Sequence, residues 1–125
     1  MGTAARPLTE RVVLVVDDED AVRHIVGRML TDSGYAVEEA RNGDEAVAQL
    51  YLLGEKVQLV VSDIAMPGIS GEVLAVTVSE RWPGLPVLLI SGALKGDQPN
   101  RFLRKPFTDE ELIAAVERLL PTPKG

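Results

Sequence analysis

Reactive side chains follow the apolar runs of this sequence with regularity. Asp17-Asp18 come directly after Val12-Val13-Leu14-Val15-Val16, and Ser62-Asp63 after the run Val57 to Val61. Ser91 follows Pro86 to Ile90, and Lys105 follows Phe102-Leu103-Arg104. If those runs are strands whose carboxyl ends share one rim, three carboxylates, a hydroxyl and an ammonium group converge there. Clustered carboxylates repel one another unless some take up protons or a cation neutralises them. Oxygen donors with room for water suit Mg2+ better than zinc.

What must position them is an alternation of strands and helices. Val12 to Val16 is a largely β-branched run, as expected of a strand buried on both faces. After Asp17 to Asp20, the residues Val22, Ile25, Val26, Met29 and Leu30 trace the i, i+3, i+4, i+7, i+8 stripe of an amphipathic helix, which Ser33-Gly34 ends. Tyr35-Ala36-Val37 reads as a short second strand. Asn42 with Glu45 opens a second helix through Ala46, Val47, Leu50 and Tyr51, and Gly54 stops it. The third strand, Val57 to Val61, leads through the loop Asp63 to Ser70 into a helix from about Gly71 to Arg81, with Val73, Leu74 and Thr77 on one side. Trp82-Pro83-Gly84 breaks it. Pro86 to Ile90 is a fourth strand and Phe102 to Arg104 a weak fifth. Thr108 and Glu111 form a capping-box signature ahead of Leu112, Ile113, Val116, Leu119 and Leu120, and Pro121 cannot continue that helix.

Five strands with helices between them call for an α/β architecture, a parallel sheet covered on both faces. Right-handed crossovers restrict it to a few doubly wound orders. In such sheets ligands bind beyond the carboxyl ends of the strands, at the switch in winding direction. In the flavodoxin-like order 2-1-3-4-5 the first and third strands are neighbours about 4.8 Å apart, so their terminal carboxylates can share one ion. The domain is expected over residues 11–120, with 1–10 an N-terminal extension and 121–125 a C-terminal tail.

Composition narrows the partners. With 46% hydrophobic and 26% charged residues, 125 residues suit a single soluble domain. The 13 Lys and Arg against 19 Asp and Glu leave a net charge of −6, which disfavours direct contact with nucleic acid. Apolar runs reach about six residues against the roughly 20 of a membrane helix, so no membrane contact by this domain is expected. The first ten residues lack the apolar stretch of a signal peptide. The absence of cysteine excludes disulfides, Fe–S clusters and thiol nucleophiles, and fits a cytoplasmic location.

Four segments together carry a family resemblance: Val15-Val16-Asp17-Asp18-Glu19, Ser62-Asp63-Ile64-Ala65-Met66-Pro67-Gly68, Leu89-Ile90-Ser91-Gly92 and Arg104-Lys105-Pro106-Phe107. Their combination, spread over Arg11 to Leu120, resembles the receiver (CheY-like) domain of two-component response regulators. The resemblance implies that Asp63 accepts a phosphoryl group from a phosphohistidine on a histidine kinase or a histidine phosphotransfer domain. It implies a site for Mg2+ (or Mn2+) made by Asp18, Asp63 and the backbone carbonyl of Ala65, with Asp17 assisting through water. It makes Ser91 the switch hydroxyl, Lys105 the contact to the phosphoryl oxygens and Phe102 the possible switch aromatic. It also implies a cis Lys105–Pro106 bond and a downstream effector that the sequence leaves unnamed. The physical roles agree: a carboxylate is a weak nucleophile, so transfer rests on alignment and charge neutralisation. A Ser91 hydrogen bond to an oxygen present only after transfer is a differential contact of the kind that shifts a two-state equilibrium.

Taken singly, each residue has a plainer reading. Asp17 and Asp18 suit a helix start, Asp63 and Ser91-Gly92 suit turns, Lys105 a solvated surface, and Phe102 the core. His24 has no ligand-type neighbours at helical spacing and receives no role. Three rivals remain to be set aside. An aspartyl-phosphate phosphatase would show Asp-x-Asp after the first strand, where adjacent Asp17-Asp18 stand instead. A nucleotide or flavin module would show a glycine-rich phosphate loop, which no strand here precedes. A degenerate receiver, binding partners without phosphorylation, fits poorly with an intact acidic pair, Asp63, Ser91 and Lys105. No effector domain is recognisable, so the chain is expected to be a stand-alone regulator or a receiver from a longer protein.

The departure from the family lies between Ser91 and Lys105, where thirteen residues must supply a loop, a helix and a strand. With Arg101 to Arg104 as strand, nine remain, among them Gly92, Gly96 and Pro99, and Leu94 is the one large apolar residue. Gly and Pro oppose helix by about 1 and 3 kcal/mol. The sheet is therefore expected to have a shortened or missing fourth helix, closer to receivers of hybrid histidine kinases than to those of transcription factors. Its flank beside the last two strands should be thinly covered. The Gly92 to Asn100 segment is expected to be mobile and to exchange its amide hydrogens fast relative to Leu112 to Leu120, and strong protection across Ala93 to Gln98 in a monomer would contradict this reading.

Overall fold

The continuous apolar runs become the centre of a five-stranded sheet. The computed structural model describes residues 11–92 and 101–120. Its strands are β1 (Val12–Val16), β2 (Ala36–Ala40), β3 (Val57–Asp63), β4 (Val87–Ser91) and β5 (Phe102–Arg104). They pair in parallel in the order β2-β1-β3-β4-β5. Helices α1 (Asp20–Asp32), α2 (Gly43–Leu53), α3 (Gly71–Arg81) and α4 (Asp109–Leu119) provide the coverage, with a short 3-10 turn at Gly54–Lys56. The segment expected to hold a shortened or missing helix, residues 93–100, lies outside the described residues, as do the N-terminal extension and the tail.

Every residue of β1 and β4 is buried, because helices lie on both faces of the sheet. Alternation along β1 divides the core. Val12, Leu14 and Val16 pack with Ala46 and Leu50 of α2 and with Leu74 and Val78 of α3. Val13 and Val15 pack with Val26 and Leu30 of α1 and with Leu112, Ala115 and Val116 of α4. The caps read from sequence are present: the Asn42 side chain accepts from the Glu45 amide, and Thr108 with Glu111 makes the full reciprocal capping box.

Two elements differ from their sequence reading. The second strand runs from Ala36 to Ala40 rather than from Tyr35 to Val37, because Glu38 and Glu39 are extended at the sheet edge, where a strand tolerates charge. The third helix buries Gly71, Leu74 and Val78, whereas Val73 is 53% exposed. Val73 and Val76 face solvent there while Val78 is buried, so the face that packs is set by the sheet rather than by local hydrophobicity. Leu74→Ala should accordingly cost about 2–5 kcal/mol of unfolding free energy. Val73→Ala should stay within about 0.5 kcal/mol, both read from urea denaturation midpoints.

Candidate phosphoacceptor site

In-register pairing of β1 and β3 brings the acidic residues together. Val16 lies opposite Ser62, so Asp17 and Asp63, the next residue in each chain direction, reach the same rim. Carboxylate oxygens of Asp17, Asp18 and Asp63 all fall within 4.8 Å of one another. On the far side β4 pairs with β5 through Ser91 and Arg104, and the Lys105 amide donates to the Ser91 carbonyl at 3.0 Å. That register sets Lys105 above the rim, where its Nζ lies 3.2 Å from Asp63 Oδ1. The Lys105–Pro106 peptide bond is cis.

The other residues singled out from sequence fall close by. Ser91 is the buried last residue of β4. Ala65 is exposed in the loop two residues beyond Asp63. Phe102 opens β5, half-buried against the core, with the Arg101 guanidinium 5.6 Å from its ring centroid. His24, given no role, has Nε2 3.3 Å from Glu39 Oε1. The plainer reading of Asp17-Asp18 as helix caps finds limited support. The N-cap of α1 is Glu19, which makes no side-chain cap, and Asp17 Oδ1 instead accepts from the Glu19 amide at 2.9 Å.

Burial raises the Asp17 carboxyl above its ordinary value. The nearby Asp63 and Asp18 charges push the same way, against the Glu19 amide and Lys105. Crowded carboxylates, oxygen-only donors and an opening to solvent at Asp18 are the features a hard divalent cation fits.

Two residues at the site escaped the sequence reading. Gly71, the first residue of α3, sits against the backbone of Asp63: a Cβ there would lie 2.3 Å from the Asp63 carbonyl oxygen and 2.9 Å from Ile64 Cα. A glycine at a helix start where better helix formers would serve is the signal that could have disclosed this approach. Arg23 is 5% exposed on α1. Its Nη1 donates to the Asp17 carbonyl at 2.9 Å, Nε to Glu39 Oε1 at 2.9 Å and Nη2 to Asp20 Oδ1 at 2.7 Å. With Val26, Gly27 and Leu30 it completes an i, i+3, i+4, i+7 row that the hydrophobic stripe alone concealed. A groove between Arg11, Lys56, Trp82 and Leu120 shares no residue with the rim.

A 2-1-3-4-5 parallel sheet bearing such a rim is the arrangement expected of one class of signalling module, the receiver domains of two-component systems. The chain belongs to the response regulator receiver domain family, whose model matches residues 13–117. It is 37% identical over 116 residues to the sensor kinase CckA of Brucella abortus, a match covering 86% of this chain and 12% of that protein. The crystal structure of the receiver domain from the hybrid histidine kinase CckA superposes with a TM-score of 0.76 at 37% identity, covering 87% of this chain and 98% of that one. The response regulator TrrA from Thermotoga maritima, solved in complex with Mg(2+)-BeF, gives a TM-score of 0.78 at 30% identity over 88% of this chain and 99% of that one. The chain spans 12% to 48% of the length of curated relatives such as CckA and ResD of Bacillus subtilis. Among the described residues, no helix is long and apolar enough to cross a membrane.

The raised Asp17 carboxyl has a consequence for stability. A carboxyl whose folded value lies above its unfolded one binds more protons in the folded state, so stability falls as pH rises between the two values. Above both, the full cost of the charged group is present. In metal-free buffer at pH 7, Asp17→Asn should therefore raise the melting midpoint. That gain should shrink as the pH is lowered and be absent below about 3.8, the ordinary carboxyl value. A gain that persisted unchanged into acid would contradict the assignment.

Proposed function

We propose that Asp63 is the phosphoacceptor of this receiver domain and that the domain extends over residues 11–120. The observation that carries the reading is the Lys105 ammonium 3.2 Å from Asp63 Oδ1, on a rim where three carboxylates crowd within 4.8 Å. In the reaction a carboxylate oxygen of Asp63 attacks the phosphorus of a phosphohistidine. The new O–P bond forms as the P–N bond breaks, and the imidazole nitrogen leaves with the electron pair. Lys105, already beside Asp63, shifts its charge onto the transferred group's equatorial oxygens. Asp17, Asp18, Asp63 and the Ala65 carbonyl are the groups that would hold Mg2+ or Mn2+, and the ion supplies neutralisation of the negative charge gathered at transfer.

Ser91, at the carboxyl end of β4 on the same rim, is the hydroxyl that donates to a phosphoryl oxygen once transfer is complete. Phe102, half-buried on β5 opposite Leu89 and two residues short of the Ser91 pairing, is the aromatic whose packing responds. The donor is a histidine kinase or a histidine phosphotransfer domain in the cytoplasm. The likeness to the CckA receiver supports a hybrid histidine kinase as the parent chain.

Incubation with acetyl phosphate or phosphoramidate plus Mg2+ should add about 80 Da, the mass of one phosphoryl group. Asp63→Ala should abolish that gain, and chelation of the metal should suppress it. Beryllofluoride with Mg2+ should bind the unaltered protein and not this variant. Equal labelling of Asp63→Ala at the same rate would sink the assignment.

A further inference from the structure

We propose that Arg23 is a positioning residue for the acidic rim: its guanidinium holds the backbone of Asp17, and through it the Asp17–Asp18 pair, in the geometry that binds a divalent cation. This deepens the proposed function and rests on its reading of the rim as a cation site.

Three N–H groups of one planar fork reach three separate parts of the chain. Nη1 donates to the Asp17 carbonyl at the end of β1, Nη2 to Asp20 at the start of α1, and Nε to Glu39 on β2. Because the fork is rigid, these three points are fixed relative to one another, which a lysine ammonium on a flexible stem cannot reproduce. Glu39 is itself confined. It lies against α1, where a Cβ at Gly27 would come within 3.3 Å of its Oε2. On the other side of the same peptide segment, Asp17 Oδ1 accepts from the Glu19 amide at 2.9 Å. The turn that carries Asp18 is thus tied at the Asp17 carbonyl by Arg23 and at the Asp17 carboxylate by Glu19. Asp18 is exposed and stands between these two ties, so its carboxylate takes its place from the backbone they hold.

Charge alone argues in the opposite direction. A cation beside an acidic rim repels Mg2+, so removing Arg23 should tighten metal binding if the side chain acted only through its field. The positioning role requires weaker binding instead. This opposition of signs makes the role testable.

The measurement is isothermal titration with Mg2+ on the unaltered protein, Arg23→Lys, Arg23→Gln and Asp18→Asn, each held below its own melting midpoint. Arg23→Lys keeps the charge and loses the fork; it should bind Mg2+ about tenfold more weakly, the scale of one charge-assisted hydrogen bond. Arg23→Gln should also bind more weakly despite the lost positive charge. Tighter or unchanged binding by Arg23→Gln, or unaltered affinity in Arg23→Lys with only a lowered melting midpoint, would overturn the proposal. So would failure of both variants to fold, which would make Arg23 a folding residue. If Asp18→Asn binds Mg2+ as well as the unaltered protein does, the cation site itself is misassigned, and the proposal falls with it.

Discussion

Three carboxylates within 4.8 Å of one another are the constraint around which the rest of this structure is arranged. Two unit charges about 5 Å apart repel by something like 3 kcal/mol at an effective dielectric of about 20. Solvent at Asp18 softens that figure, and the single ammonium of Lys105 beside Asp63 answers only part of it. Three negative charges and one positive leave a local excess of two, which a divalent cation matches. Repulsion alone would disperse such a cluster. The sheet instead holds it in place by pairing β1 with β3 in register, so that the carboxyl ends of two buried strands deliver Asp17 and Asp63 to one edge.

Holding like charges together needs a scaffold that yields little. The fully buried runs of β1 and β4 provide it, since β1 is packed between α1 and α2 and β4 between α3 and α4. Close contacts then tune the rim. Gly71 lets the first turn of α3 rest on the Asp63 carbonyl, where any side chain would force the backbone away. Its amide donates to the Ile64 carbonyl at 2.9 Å, and the Ser62 hydroxyl donates to that of Asp63 at 2.9 Å. The Asp63 main chain is thus held from two sides, while its carboxylate faces Lys105.

Much of this was legible from residues alone, because strong signals and strong physics coincided. Val12 to Val16 could only be a doubly covered strand, and Asp17-Asp18, Asp63, Ser91 and Lys105 declare themselves by standing at strand ends. Local patterns failed where the deciding partner is distant in sequence. Glu38 and Glu39 disguised the length of β2, since at an edge a charge can sit in a strand and still find a partner, as Glu39 does in Arg23, sixteen residues away. Val73 and Thr77 group with Leu74 on one side of α3 in the sequence, but of these three the sheet buries only Leu74, and takes Val78 with it. Arg23 receives no reading from the sequence, because nothing in its own helix shows that the face it occupies meets the Asp17 carbonyl and the Glu39 carboxylate.

These failures have a common cause that bears on function. Sequence patterns report what lowers free energy locally, and the residues they passed over or misplaced nearest the site are those bound by a non-local condition. A buried arginine incurs desolvation that its hydrogen bonds must offset. A glycine at a helix start gives up helix propensity. Asp17, which the sequence did single out, adds a carboxyl raised by burial and like charges, which weakens the fold at neutral pH. Each departs from what stability would select, and all three converge on the same few ångströms around Asp17 and Asp63. Departures scattered over a surface would signify little, whereas their concentration at one rim is the pattern expected where local consistency has yielded to chemistry. That concentration supports the proposed reading of Asp17, Asp63 and Lys105 over the plainer ones: a helix start, a turn and a surface charge would each have been satisfied without crowding the other two.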